Sequence, residues 1–268
     1  MKAGDKKVLG VIPARWGSTR FPGKPLADIG GKPMIRHVYE RTSEAQLFDL
    51  VIVATDDQRI VDVVKGFGGH ALMTDPEIKT GTERVAAISR NHAHEIIVNI
   101  QGDEPLLAPR MLDDLAQVML DEPDLPVATL VKPITNYEEL ISTNFARIVM
   151  TRDQRILYFT RSVIPFLRDF PQQEDWLNHH PYYRHVGIYA FRRDFLFTFV
   201  SMGPSPLEDA ERLEQLRILE NGYPMKGVLT SYEPHSVDNQ EDLEIVRKKY
   251  ASLRDERHTS GLLESIHQ

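Results

Sequence analysis

The chain has 268 residues, 41% of them hydrophobic and 26% charged, enough to bury a sizeable core and too apolar for a disordered polymer. A formal charge of −7 argues against a protein that coats nucleic acid, whose surface needs clustered Lys and Arg, so any phosphate site has to be local. Cysteine is absent, which removes disulfides, thiolate metal sites and cysteine nucleophiles; with no apolar leader and no run near the ~20 apolar residues of a membrane span, a cytoplasmic protein is expected.

In chain order, the apolar run at 8–12 predicts a buried strand, and 33–39 opens a helix with Met34, Ile35 and Val38 on one side. A second strand is expected at 50–54 and a second helix at 59–67, with Ile60, Val64 and Phe67 in line and Gly68-Gly69 as its stop. Further strands follow at 71–73 and 96–100. This rhythm of Val/Ile-rich strands and amphipathic helices means a mostly parallel sheet covered on both faces, with ligands at the strands' carboxyl ends. The second half predicts strands at 157–159 and 185–192, separated by a polar, Pro-containing exposed loop at 168–181. Helices are expected at 208–221, where Leu213, Leu216 and Leu219 are spaced for burial ahead of Gly222, and at 240–250. Residues 251–268 are weakly patterned and read as a frayed helix or mobile tail.

The segment Pro13-Ala14-Arg15-Trp16-Gly17-Ser18-Thr19-Arg20-Phe21-Pro22-Gly23-Lys24-Pro25 follows directly on the first strand. Gly17, Ser18 and Thr19 can present backbone N–H groups and hydroxyls to a polyanion, while Arg15, Arg20 and Lys24 put three cations on one loop. Phosphates are the expected guest; the alternative is a turn whose cations are merely solvated. Neither the G-x-G-x-x-G dinucleotide fingerprint nor the Gly-Lys-Ser/Thr ending of a P-loop occurs here, which speaks against a dinucleotide oxidoreductase.

Asp103, just past the strand at 96–100, is a natural hard-oxygen ligand for Mg²⁺, although Asp before Glu104-Pro105 also suits a plain turn. Asp238 stands where a helix N-cap would, with Glu241 three residues on as its capping-box partner. Thr80-Gly81-Thr82 reads as an N-cap ahead of a helix whose first turn carries Glu83. His185 and Tyr189 are evenly spaced on a strand, so both point to one face, opposite Val186, Ile188 and Ala190. Glu214 and Gln215 interrupt a leucine-rich helix and read as an exposed polar pair. His179-His180 lies in a polar loop with no ligand spacing around it and gets no role.

The loop after the first strand resembles the signature loop of the sugar nucleotidyltransferases, and its wording resembles the Kdo (3-deoxy-manno-octulosonate) cytidylyltransferases. The resemblance continues through Ala54-Thr55-Asp56-Asp57, Thr80-Gly81-Thr82-Glu83-Arg84, Asn99-Ile100-Gln101-Gly102-Asp103-Glu104-Pro105 and Tyr158-Phe159-Thr160-Arg161. It then runs through Arg184-His185-Val186-Gly187-Ile188-Tyr189, Leu213-Glu214-Gln215-Leu216-Arg217 and Val237-Asp238, spanning about residues 8–250. The shared order of these words makes chance similarity improbable. The resemblance implies a three-layer α/β fold with a mostly parallel mixed sheet, of the nucleotide-diphospho-sugar transferase kind. It implies a single nucleotidyltransferase domain over 1–268 with 251–268 as tail, and a homodimer built mainly from the second half.

The same resemblance assigns the phosphates of CTP to Arg15, Gly17, Ser18, Thr19, Arg20 and Lys24, and a nucleotide contact to Thr80, Gly81 and Thr82. It places catalytic Mg²⁺ on Asp103 and Asp238, and the acidic eight-carbon sugar against Gln101, Arg161, His185, Tyr189, Glu214 and Gln215, with Arg161 as the carboxylate clamp. The expected reaction joins CMP to the sugar's anomeric hydroxyl with Arg15, Lys24, Asp103 and Asp238 as the catalytic set. His235-Ser236 replaces the family's more usual Gly before Val-Asp, and the loop 168–181 also departs from the pattern. A cytidylyltransferase for sialic acid or 8-amino-Kdo, or a nucleotide-binding module without catalysis, are the competing readings.

Overall fold

The structure, a computed structural model, describes the backbone of residues 7–17 and 21–265 and the side chains of those up to position 254. The first half runs β1 (Val8–Ala14), a tight 3-10 turn Lys24–Leu26, the short hairpin β2 (Asp28–Ile29) and β3 (Lys32–Pro33), and α1 (Met34–Ser43). It continues through β4 (Leu50–Thr55), α2 (Gln58–Gly66), β5 (Ala71–Met73), α3 (Gly81–Ser89), β6 (Ile96–Asn99) and α4 (Pro109–Asp121). The second half holds β7 (Val127–Pro133), α5 (Tyr137–Ile141), β8 (Arg147–Met150), β9 (Ile156–Thr160), a 3-10 turn Gln173–Asn178, and β10 (Tyr183–Arg192). It closes with α6 (Arg193–Ser201), α7 (Pro206–Glu211), α8 (Leu216–Glu220), β11 (Met225–Leu229) and α9 (Gln240–Ser265).

The main sheet has the order β11-β7-β10-β6-β1-β4-β5, with β8 and β9 appended beside β10. Parallel pairing joins β5, β4, β1 and β6 and also β11 with β7, whereas β10 runs antiparallel between β6 and β7. Period-2 alternation in the strands sorts their side chains into two cores. Val8, Ile12, Val98, Val186, Ile188 and Ala190 face α1, α2 and α4, and Leu9, Val11, Ile97, Tyr189 and Phe191 face α3, α6 and α8. Three layers result, as expected, and His185 and Tyr189 share a face, their rings 5.2 Å apart.

Two local expectations are corrected. Residues 208–221 do not form one helix: Arg212 takes a left-handed conformation (φ 56°) and separates α7 from α8. The clamp of Arg217 onto Glu208, at 2.5–2.7 Å, holds the two pieces across the break. The segment 168–181 is not simply exposed, because Trp176 is buried with Tyr182, Leu140 and Ile134 in a small apolar cluster. His179, within it, stacks on Phe170 at 3.6 Å. Beyond the helix expected at 240–250, the backbone of α9 continues as far as Ser265, while residues 266–268 lie outside the described residues. Leu243 and Val246 seat α9 against Ile29, Met34 and Leu106, beside the turn that carries Lys24. Among the described residues no helix is long and apolar enough to cross a membrane.

Candidate active site

The carboxyl ends of β1 and β6 open into a cleft of about 420 Å³ lined by Arg15, Lys24, Lys79, Thr80, Gly81, Arg84, Gln101, Gly102, Asp103 and Asp238. The loop leaving β1 is turned back on itself at Gly23, whose N–H donates to the Trp16 carbonyl at 3.1 Å. Gly23 has φ 72°, which favours glycine, and a Cβ there would meet the Trp16 ring at 3.0 Å. Trp16 is anchored in turn: its N–H donates to Asp56 at 3.3 Å, and the Arg59 guanidinium lies 3.4 Å over its ring. Asp56 also pairs with Arg84 of α3 at 3.0 Å, so the end of β4 ties the loop to the opposite wall of the cleft. Gly102 forms the floor, where a Cβ would stand 2.7 Å from the Pro13 carbonyl oxygen.

Across this floor Lys24 meets both aspartates, its ammonium 2.7 Å from Asp103 Oδ2 and 3.7 Å from Asp238 Oδ1. Asp238 is not the helix cap that its position suggested. Asn239 takes that role, accepting from the N–H groups of Glu241 and Asp242 at 2.8 and 3.0 Å. Asp242 reaches back to the N–H groups of Asp238 and Asn239, so the Asp238 carboxylate turns into the cleft. The strap before it is pinned beside Asp103: Val237 N–H donates to the Asp103 carbonyl at 3.0 Å and His235 N–H to Glu104 at 3.0 Å. Burial, with the neighbouring Asp103 charge, pushes the Glu104 carboxyl up to about 8. The His235 ring meets Lys249 of α9 at 2.8 Å, which gives this chain's departure at 235–236 a local anchoring contact.

Among the described residues no cluster of three or more metal-ligating side chains occurs. Two carboxylates gathered around a cation, here the ammonium of Lys24, nevertheless suit a hard divalent ion that completes its shell with water and substrate phosphates.

A second group of expected residues lies on the α3/α6/α8 face of the sheet. His185 Nε2 lies 2.9 Å from Thr129 Oγ1, whose own hydrogen goes to the Ile188 carbonyl at 2.8 Å. The ring therefore donates through Nε2 and keeps Nδ1 as acceptor, and burial pushes its pKa down to about 3. Tyr189 is buried, and desolvation with the nearby Glu214 charge pushes its phenol well above the ordinary range. Gln101 donates to the Gly187 carbonyl at 2.7 Å. Glu214 and Gln215 are not an exposed pair. In the break between α7 and α8, Gln215 is 3% exposed with no partner for Nε2 among the described residues, and Glu214 accepts from Thr82 Oγ1 at 2.6 Å.

The remaining candidates divide. Arg15 lines the cleft and reaches the Lys79 carbonyl at 3.5 Å; Gly17 is not among the lining residues, and Ser18, Thr19 and Arg20 lie outside the described residues. Thr80 and Gly81 line the cleft, the Thr80 side chain capping α3 with Glu83, whereas the hydroxyl of Thr82 is turned away to Glu214 and Asn99. Arg161 gives Nε to the Glu211 carbonyl and Nη1 to the Thr143 carbonyl, at 3.0 and 2.8 Å, and does not line the cleft. Lys79, Asp56, Arg84, Thr129 and Asn99 were missed as members. Each is a single polar residue, and only the folded arrangement gives it a partner.

The cytidylyltransferase family model matches residues 9–231. The 3-deoxy-manno-octulosonate cytidylyltransferase of Pelobacter propionicus is 47% identical, over 92% of this chain and 98% of its own length. The enzyme of that name from Geobacter metallireducens is 45% identical over 92% of this chain and 99% of its own. Among solved structures, CMP:2-keto-3-deoxy-manno-octonic acid synthetase complexed with CTP is 42% identical with a TM-score of 0.86, covering 92% of this chain and 99% of that one. The 4-diphosphocytidyl-2C-methyl-D-erythritol synthase of Anaerococcus prevotii, 12% identical with a TM-score of 0.58 and covering 92% of this chain and 99% of that one, shares the fold.

Proposed function

This chain belongs to the cytidylyltransferase family, and we propose that it transfers CMP from CTP to the anomeric hydroxyl of 3-deoxy-D-manno-octulosonate, releasing pyrophosphate, in cytoplasmic lipopolysaccharide synthesis. The observation that carries this reading is the pair Asp103 and Asp238 drawn around Lys24 in a cleft whose other walls bring Arg15, Lys79 and Arg84. Cations beside carboxylates suit a polyphosphate that arrives with a divalent ion better than they suit a bare anion.

In the reaction the anomeric oxygen bonds to the α-phosphorus, the bond from that phosphorus to the β-phosphate oxygen breaks, and the hydroxyl proton passes to solvent. No protein nucleophile is required, so the chain's work is positioning and charge stabilisation. Arg15 and Lys24 are placed to hold the departing pyrophosphate, with Ser18, Thr19 and Arg20 of the same loop offering further donors. Mg²⁺ on Asp103 and Asp238 would supply charge neutralisation between the sugar oxygen and the phosphate. Gln101, Tyr189, His185, Glu214 and Gln215 present the sugar with donors and acceptors, and Arg161 supplies the guanidinium for its carboxylate. The active form is a homodimer joined through the second half of the chain.

The test is pyrophosphate release from CTP and Mg²⁺ with Kdo, 8-amino-Kdo and sialic acid in parallel. Release with Kdo is expected, as is loss of most turnover in a folded Asp103→Asn protein. Release only with another sugar would reassign the pocket, and no release with any of them would leave a nucleotide-binding module.

A further inference from the structure

We propose that Asn99 and Thr82 form a hydrogen-bond relay that positions Glu214 for the acidic sugar, so that Thr82 serves the sugar half of the site and not the nucleotide half. The inference rests on the reading that Glu214 faces the sugar.

Thr82, in the first turn of α3, is 2% exposed and outside the lining of the nucleotide cleft. Its one hydroxyl hydrogen is given to Glu214 Oε1 at 2.6 Å, and its oxygen accepts from Asn99 Nδ2 at 3.2 Å. An amide N–H can only donate and a carboxylate can only accept, so the chain has one direction, from Asn99 through Thr82 to Glu214. Each end is held differently. Asn99 closes β6 and pairs with Tyr189 of β10, so the sheet itself sets its position. Glu214 sits in the non-helical break between α7 and α8, where no helix ladder restrains it and side-chain hydrogen bonds must select its rotamer.

Packing alone does not account for Asn99. It follows Ile96, Ile97 and Val98, is 1% exposed, and its Oδ1 has no hydrogen-bond partner among the described residues. A buried amide half satisfied in a strand of aliphatic residues is costly unless its other half is used. Burial also pushes the Glu214 carboxyl up, and the bond from Thr82 opposes this. The charged groups around it are Arg217, which acts with Thr82, and Glu208 and Glu83, which act against; the Tyr189 phenol completes the surroundings.

Full-length Thr82→Val, Thr82→Ser and Asn99→Ala proteins, and Thr82→Val combined with Glu214→Gln, test the relay. With Kdo, CTP and Mg²⁺, Thr82→Val is expected to raise KM for the sugar about tenfold with KM for CTP unchanged, and Thr82→Ser to stay within about twofold of the parent. In the Glu214→Gln background the further effect of Thr82→Val falls below about twofold. An equal rise in KM for CTP, or a full effect that persists without the Glu214 carboxylate, overturns the proposal. Should the parent turn over none of the sugars, the functional reading fails by itself and the relay is read without substrate. The ¹³C carboxyl signal of Glu214, identified by its loss in Glu214→Gln, then titrates at higher pH in Thr82→Val and in Asn99→Ala, and an unmoved titration overturns the relay. Asn99→Ala reads the same chain one bond earlier if Thr82→Val does not fold.

Discussion

At the residue scale, His185 is a base that the fold holds neutral. Its ring lies against Phe159 and Tyr189, each with centroids 5.2 Å away, and its single hydrogen-bond partner among the described residues, Thr129, is itself tied to the Ile188 carbonyl. Burial lowers its pKa from the ordinary 6.5 to about 3. The unfolded chain therefore takes up a proton near pH 6.5 that the folded chain refuses, and stability present above 6.5 is lost as pH falls toward 3. A His185→Gln protein, which keeps a donor for Thr129, lacks this loss. Urea midpoints between pH 7 and pH 4 are expected to converge, the parent falling faster by up to about 1.4 kcal/mol per pH unit. Parallel profiles would mean that His185 is charged in the fold.

At the element scale, the break between α7 and α8 decides which way Glu214 and Gln215 point. Leucine spacing over 208–221 describes one amphipathic helix, and Leu213 and Leu216 are indeed buried. What the spacing does not express is the left-handed turn at Arg212 or the fork of Arg217 onto Glu208, with a third bond to the Met202 carbonyl at 2.8 Å. The fork lies behind the break, with side chains only 15% and 14% exposed, so Arg217→Leu leaves a largely buried carboxylate without its cation. That change is expected to cost about 2–4 kcal/mol in urea denaturation and to raise KM for the sugar while sparing KM for CTP. An equal loss of CTP affinity would show that the break supports the whole cleft. The strands β1, β4 and β6 of the first half, by contrast, were legible, whereas α4 and the β2–β3 hairpin were not expected. These three strands are buried on both faces and read as plain Val/Ile runs.

At the scale of the whole molecule, a chain with formal charge −7 gathers Arg15, Lys24, Lys79 and Arg84 around one cleft, so attraction for a polyphosphate is local and not a property of the surface at large. The second half carries large exposed apolar side chains, among them Phe166 at 74%, Leu157 at 58% and Ile141 at 44%. Phe166 stands edge-on to the buried Trp176 at 5.2 Å, at the rim of the small apolar cluster. Exposed apolar groups of this size mark association surfaces, and we place the proposed homodimer contact there. Sedimentation of the parent should give a dimer and Phe166→Glu a larger monomer fraction with the melting temperature kept. A monomeric parent at micromolar concentration removes the dimer from the proposal.

The order of chemical words along the chain, Arg15 to Lys24, Gln101 to Asp103, His185 to Tyr189 and then Asp238, determined by itself the family and the layered fold, and singled out Arg15, Lys24, Gln101, Asp103 and Asp238 of the cleft lining but not Lys79 or Arg84. Motif residues at strand ends are brought together by any parallel sheet, so their proximity follows from local pattern plus topology. Direction was decided by the tertiary structure. Asp238 faces Lys24 because Asn239 rather than Asp238 caps α9, and Glu214 faces inward because a left-handed Arg212 interrupts a helix that propensity would have continued. Thr82 turns to Glu214 instead of the cleft because Asn99, seventeen positions on, supplies the donor behind it. Such choices depend on partners distant in sequence and worth about 1 kcal/mol apiece, which no local period or propensity encodes.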